Sequence, residues 1–207
     1  MHPLVAKLLR GLQKDRDLPM SRRVLSVVRS AAALVNARIF LRDCDVVGAR
    51  ARSFGRPRID NRGQIAIGQD FALASGFGTV AIATAPEGQI EIGDSVTINY
   101  GTAISARQQI KIGNRVNIGP FCIISDSDLP LPLDGGPEDV ARPIEIGDDV
   151  WLACRVTLLP GARIGAGAVI AAGSVVSGDV PARAVASGIP ARVLHVSNTP
   201  HHVEIRE

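Results

Sequence analysis

Apolar residues return every sixth position along much of this chain. After residue 144 the step runs without a slip through Ile146, Leu152, Leu158, Ile164, Ile170 and Val176. Four positions beyond each stands a small or β-branched residue: Val150, Val156, Ala162, Ala168, Ser174 and Val180. Two inward side chains per six residues, one large and one small, with Gly and Asp between them, predict a flat strand followed by a tight corner. Three such strands make one triangular turn. Four copies of Ile-x-Ile-Gly, at Ile65–Gly68, Ile90–Gly93, Ile110–Gly113 and Ile144–Gly147, each open such a turn.

Tracking the phase gives turn starts at 67, 92, 112, 146 and 164. Relative to a turn of eighteen residues the spacings exceed the period by 7, 2, 16 and 0, and the surplus is expected between the third strand of one turn and the first of the next. One corner of the prism should therefore carry the excursions, the longest at about 125–143. The predicted architecture is an all-β solenoid, a parallel β-helix over about Pro57 to Val180. No turn can bury its Ile alone; stacked about 4.8 Å apart, each buried Ile contributes roughly 1.5–3 kcal/mol. The last turn needs its strand edge covered, which is expected of an irregular tail beyond Val180. The organisation expected is an N-terminal helical extension over 1–54, the β-helix over 55–185 with its loop at 125–143, and a C-terminal tail over 186–207.

Composition narrows the function classes. With 46% apolar residues and 3% aromatic, the chain suits a narrow prism filled by Ile, Val, Leu and Ala. Net charge is +3, with acids interleaved among scattered arginines in the repeats, so nucleic acid is not the expected partner. Cys44, Cys122 and Cys154 are odd in number and irregularly spaced, which signals neither a disulfide framework nor a metal site. Residues 1–11 lack a long apolar run and a small-residue cleavage site, so a cytoplasmic protein is expected. Ser21 to Arg42 reads as a helix, with too few uncharged residues in a row to span a bilayer. Its arginines fall on more than one side of the wheel, so weak peripheral membrane association and a packing or oligomer role both stand for it.

The hexad rule, Ile98-Asn99-Tyr100-Gly101-Thr102, the run Ile118 to Asp128, and Ile146-Gly147-Asp148-Asp149-Val150-Trp151-Leu152 together resemble the bacterial hexapeptide-repeat acyltransferases, most nearly the O-acetyltransferases of polysaccharide biosynthesis. The resemblance covers roughly 55–195. It implies a left-handed parallel β-helix, a homotrimer, and acetyl-CoA as acyl donor lying in a cleft between neighbouring prisms, with a sugar or sugar-linked acceptor and no metal. It places Ala153, Ala171, Gly173 and Ser174 along the pantetheine arm and Trp151 on a wall of the cleft. The tail Gly188-Ile189-Pro190-Ala191-Arg192 matches the segment beside the adenosine phosphate, where Arg192 would pair with that phosphate and Arg183 would assist. Asn99 occupies the place of an Asn that faces the acceptor.

One departure is chemical. The family carries a His in the long loop as general base, and here the loop begins Ser125-Asp126-Ser127-Asp128-Leu129. The four His of the chain, His2, His195, His201 and His202, lie near its ends. A sugar hydroxyl attacking a thioester needs a proton acceptor, and Asp serves only where burial raises its pKa. Asp126 and Asp128 are the candidates, against the alternative that Asp-Ser-Asp caps the loop turn. An amine acceptor needs no such base, so an amino-sugar N-acyltransferase is a second reading, and a CoA-binding scaffold that has lost catalysis is a third.

Overall fold

The computed structural model describes residues 20–127 and 141–196. Three sheets of seven, eight and six strands, parallel but for the last strand of the second, form the sides of a triangular prism. The first face runs from Val46–Val47 through Gln64–Ile67, Gln89–Ile92, Gln109–Ile112, Ile144–Ile146 and Arg163–Ile164 to Asp179–Val180. The second runs from Arg52–Gly55 to Ala184–Gly188, and the third from Arg58–Asn61 to Val175–Val176. Each inner column is one residue per turn in register. Ile67, Ile92, Ile112, Ile146, Ile164 and Val180 are successive partners on face one. Leu73, Ile98, Ile118, Leu152, Ile170 and Ala186 are partners on face two. All of these side chains are buried in one continuous core, so the sixfold period is the period of the prism wall.

The ladder of strands reaches beyond the expected Pro57 to Val180 at both ends. At the start a helix, α1 (Met20–Phe40), closes the prism: Ala37 and Leu41 join the core, and Asn36 donates its amide to the Ser53 carbonyl. At the far end the tail is a strand rather than irregular chain. Ala191–Val196 runs antiparallel to Ala184–Gly188 and covers the open edge of face two, which is how a sheet avoids pairing with other chains.

The surplus residues follow the expected corner in two of three cases. The surplus of seven in the early turn is divided, because Ile82 rather than a residue six beyond Leu73 is the partner of Ile104. Part of it is an excursion at the corner between faces two and three, Ser75-Gly76-Phe77-Gly78-Thr79, which seats Gly78 against the backbone of Gly101 in the next turn. The approach is close, since a Cβ on Gly78 would lie 3.2 Å from the Gly101 nitrogen and the turn would have to give by a few tenths of an ångström to admit it.

Corners are also where polar side chains collect. Between faces one and two, Asp94 Oδ1 accepts from the Gln69 amide at 2.7 Å, Asn114 Oδ1 from the Asp94 amide at 2.9 Å, and Asp148 Oδ1 from the Asn114 amide at 2.7 Å. Arg115 adds a two-pronged pair with Asp149 at 2.7 and 2.8 Å. From the Ile67 turn to the Ile146 turn, each is stapled to the next by a side chain that accepts an otherwise unused backbone N–H. Among the described residues no helix is long and apolar enough to cross a membrane.

Candidate active site

The corner between faces two and three carries a second column one residue past the buried one. Because Ile98, Ile118, Leu152, Ile170 and Ala186 are in register, the residues that follow them stack outward: Asn99, Gly119, Ala153, Ala171 and Ser187. Asn99 and two of the expected pantetheine residues, Ala153 and Ala171, therefore share one edge, Asn99 about 10 Å below Ala153 and Ala171 about 5 Å above it. Trp151 stands on face two beside this edge, between Asn117 and Val169, and is 39% exposed. Cys154 is exposed at the same turn.

Bulk is missing from the upper part of this edge. Ala153 and Ala171 are half-buried, and Gly173, held at φ 72° with its N–H donated to the Cys154 carbonyl, has nothing within 4 Å of where a Cβ would be. The glycine at 119 is different in kind. A Cβ there would meet the Ala153 backbone at 2.7 Å, so Gly119 serves turn stacking and Gly173 leaves open space.

Other expected donor-site residues separate. Ser174 is fully buried, and its hydroxyl accepts from the Gly188 amide at 3.2 Å; it faces the interior and anchors the terminal hairpin. Arg192 is exposed and in register with Ser187, which itself lies one turn beyond Ala171, so Arg192 is two strand spacings from Ala171. Arg183, with φ 59°, begins the strand at Ala184 from the opposite corner, so face two lies between the two guanidinium groups.

The expected base is in a different place again. Asp126 is fully buried at the corner between faces three and one. Its Oδ1 accepts from the Arg107 amide at 2.7 Å, and its Oδ2 from Gln108 at 2.7 Å and Gln109 at 2.8 Å. Burial pushes this carboxyl above its ordinary range, against the downward pull of the three amides. The position repeats: Ser105 pairs with both Ala83 and Ser125, so Thr84, Ala106 and Asp126 are equivalent. Thr84 Oγ1 likewise accepts from the Arg62 and Gly63 amides at 3.1 and 3.0 Å. A Thr performing the same task two turns earlier identifies the task as stapling, the capping alternative raised by the sequence. Asp126 is turned into the prism; Asp128, with His201 and His202, lies outside the described residues. His195 is exposed on the terminal strand.

Asn99 is partly committed: its Nδ2 donates to the Ile118 carbonyl at 3.0 Å, which fixes the amide plane and leaves Oδ1 as the group able to accept from a ligand. Beside it the structure shows a feature the sequence reading missed. Phe77, Tyr100 and Phe121 stack edge to face across three turns, with centroids 5.8 and 5.4 Å apart, and the Arg155 guanidinium sits 6.0 Å from the Phe121 centroid. The signal was the excursion at 75–79, which the phase count had moved to the wrong corner. Two cavities of about 810 and 580 Å³ open near α1, and neither touches the residues of this edge. On an isolated prism the edge is a convex ridge.

A family model described as bacterial transferase hexapeptide (six repeats) matches residues 143–178. The chain is 30% identical over 182 residues to a protein of Escherichia coli K12 provisionally named lipopolysaccharide biosynthesis O-acetyl transferase WbbJ, covering 83% of this chain and 88% of that one. It is 36% identical over 111 residues to the galactoside O-acetyltransferase of the same organism, covering 53% of this chain and 55% of that protein, so here it spans about half the relative's length. Among solved structures, a variant of AntD, an N-acyltransferase from Bacillus cereus with dTDP-4-amino-4,6-dideoxyglucose and coenzyme A, superposes with a TM-score of 0.67 at 18% identity, over 78% of this chain and 89% of that one. That likeness is one of fold. With the stacked hexads, the family match and a relative aligned over nearly its whole length, the chain belongs to the bacterial hexapeptide-repeat transferases.

Proposed function

We propose that the protein transfers an acyl group, acetyl from acetyl-CoA, to a sugar or sugar-linked acceptor, at a site completed by a second copy of the chain in a cytoplasmic homotrimer. The observation that carries this reading is the single edge on which the small residues Ala153 and Ala171 stand in register with Asn99 lower down, with the open Gly173 two residues beyond Ala171 at the same corner. A thin pantetheine arm running along Ala171 and Ala153 would bring its thioester toward Asn99, whose Oδ1 orients the acceptor. Arg192 would hold a CoA phosphate at the far end. Trp151 would wall the arm, and the Phe77–Tyr100–Phe121 stack would offer ring faces to a sugar.

The trimer reading rests on the split between corners. Face three, about 10 to 13 Å wide, separates the Asn99 edge from the corner that bears the long loop. From its second strand onward its outward residues include Ala81, Ala83, Ala103, Ser105, Ile123 and Thr157, none charged, and Ile123 is half exposed. Face one, by contrast, turns Glu91, Lys111, Glu145, Arg163 and Asp179 outward. In a closed threefold ring each protomer offers two different edges. With face three toward the axis, the Asn99 edge of one copy would lie against the loop corner of the next, and the ridge would become a cleft.

The use of Asp126 as a staple favours an amine over a hydroxyl acceptor. A neutral amine attacks the thioester without a protein base, whereas a hydroxyl would need Asp128 of the loop for proton removal. Mass spectrometry of reactions containing acetyl-CoA with amino sugars, nucleotide sugars and oligosaccharides tests both readings. An acetylated amino sugar is expected, with rate rising toward the amine's own pKa. CoA binding with no acetylated product from any acceptor would instead make the protein a binding scaffold.

A further inference from the structure

The side of α1 that does not close the prism has its own pattern. Leu25, Val28, Ala32, Val35 and Ile39 follow one another at intervals of three and four and, at about 100° per residue, fall within roughly 80° of arc. All five are exposed, the four larger ones by 66, 57, 58 and 51%. Ala33, Ala37 and Leu41, which pack on the prism, lie on the opposite side; Leu25, Val28 and Ala32 point away from the body, and Val35 and Ile39, though more than half exposed, border the two cavities beside the first turns. Arg22 and Arg29 flank it on one side and Arg38 on the other, and the helix contains no acidic residue.

The charge of the whole chain sharpens this. Nine of its 23 Lys and Arg, but two of its 20 Asp and Glu, fall within the first 42 residues. That segment carries a net +7, against −4 for the remainder. An apolar stripe between rows of arginine on a strongly cationic segment is complementary to a surface that is apolar beneath and negative on top. A second copy of the helix fits less well, because two stripes meeting face to face would set arginine flanks against each other with no acid in the helix to pair them.

We propose that α1 seats the protein on an anionic lipid surface, with the stripe in the acyl boundary and Arg22 and Arg38 at the phosphates, while Arg29 stays over the Phe54 ring of the prism at 5.7 Å. In a trimer three such helices act together, and each weak contact becomes part of a multivalent one. The inference stands independently of acyl transfer.

Flotation of the full chain with vesicles of phosphatidylcholine, alone or with roughly a third phosphatidylglycerol, tests it. The protein is expected to float with the anionic vesicles, to remain behind with the neutral ones, and to be released by salt. Arg22→Gln with Arg38→Gln should weaken binding roughly thirtyfold, and Val28→Ser with Val35→Ser should abolish it. Both pairs are on the exposed side, so the melting temperature and the CoA affinity should not move. Failure to float with anionic vesicles would overturn the proposal, as would undiminished flotation of the Val28→Ser, Val35→Ser protein. A fall of that variant to a smaller assembly by light scattering would overturn it too, by making the stripe a contact between protomers.

Discussion

At one corner of this prism the outward polar side chains are bonded into the fold; at the next the bonded ones, such as Thr102 and Ser174, face inward, and the outer edge is left mostly to small residues. Between faces one and two, Asp94, Asn114 and Asp148 each accept a backbone amide from the turn below, and Arg115 closes on Asp149. Between faces two and three the equivalent stretch presents Asn99, Gly119, Ala153 and Ala171, and the one long polar side chain among them spends only its Nδ2 on the backbone. Both corners are made by the same hexad and the same left-handed turn residues, Asp149 at φ 59° on one and Arg155 at 57° on the other. The difference lies in what is hung on the turn. A corner tied together from outside stiffens the stack and offers a ligand little, whereas one whose outer column is mostly reduced to methyl groups leaves room.

Asp126 is the sharpest test of that division, because sequence offers it as a base and the structure ranks it with the staples. Asp126→Ala removes the acceptor of three amides and should cost about 3 kcal/mol or more, since each such bond to a charged group contributes roughly 1.5–3 kcal/mol and the donors are left without a partner. Asp126→Asn should cost less, because one oxygen remains. Chemical denaturation gives both values. If Asp126→Asn instead melts like the parent and loses turnover about a hundredfold, the scale of a missing general base, the residue belongs to the chemistry and the third corner is not purely structural.

How much of this could be read beforehand differs between wall and corner. Ile92, Ile112, Ile146 and Ile164 were legible as one stack because burial repeats with the turn, and every inner position obeys the same demand. Corner positions obey no such demand. Asp126, Thr84 and Ala106 occupy one structural position with three chemistries, so the residue type alone did not say whether the carboxylate pointed in or out. Ser174 misled for a related reason: a small residue fits both a ligand groove and the inside of a narrow prism, and the hexad phase already counted it inward. The terminal hairpin escaped because Pro190 and the glycine before it break the period that had been the guide. The early excursion was displaced to a neighbouring corner because a phase count registers surplus residues without saying where along the turn they bulge.

The open corner can be closed deliberately. Ala171→Leu adds bulk to a half-buried edge position where a ligand arm, and no protein side chain, would meet it. The melting temperature should stay within a degree or two of the parent, as expected for a surface substitution of about 0.5 kcal/mol or less. Affinity for CoA should fall by about 1–3 kcal/mol, the cost of overfilling a fitted site and up to roughly a hundredfold. Calorimetry at matched protein concentrations separates the two quantities. An unchanged affinity would move the pantetheine arm off this edge and remove the main contrast between the corners.

The smallest effect is a change in labelling rate, and it compares neighbouring turns of the same corner. Cys122 is buried there, its thiol donating to the Ala153 carbonyl at 3.1 Å, and burial pushes it up to about 11. Cys44, beneath α1, is pushed up to about 12 by burial and then by Asp45 and Asp43. Cys154 alone of the three is exposed. Because the thiolate is the reactive form, a maleimide at about pH 8 should label one cysteine quickly, and peptide mapping should find it at Cys154. The other two should become reactive only as the pH approaches their raised values or as the prism unfolds. CoA bound along Ala153 and Ala171 would cover Cys154, so a saturating amount should slow its labelling severalfold without affecting the slow pair. Equal rates with and without CoA would show that this corner is open to solvent and to small reagents, yet is not where the donor lies.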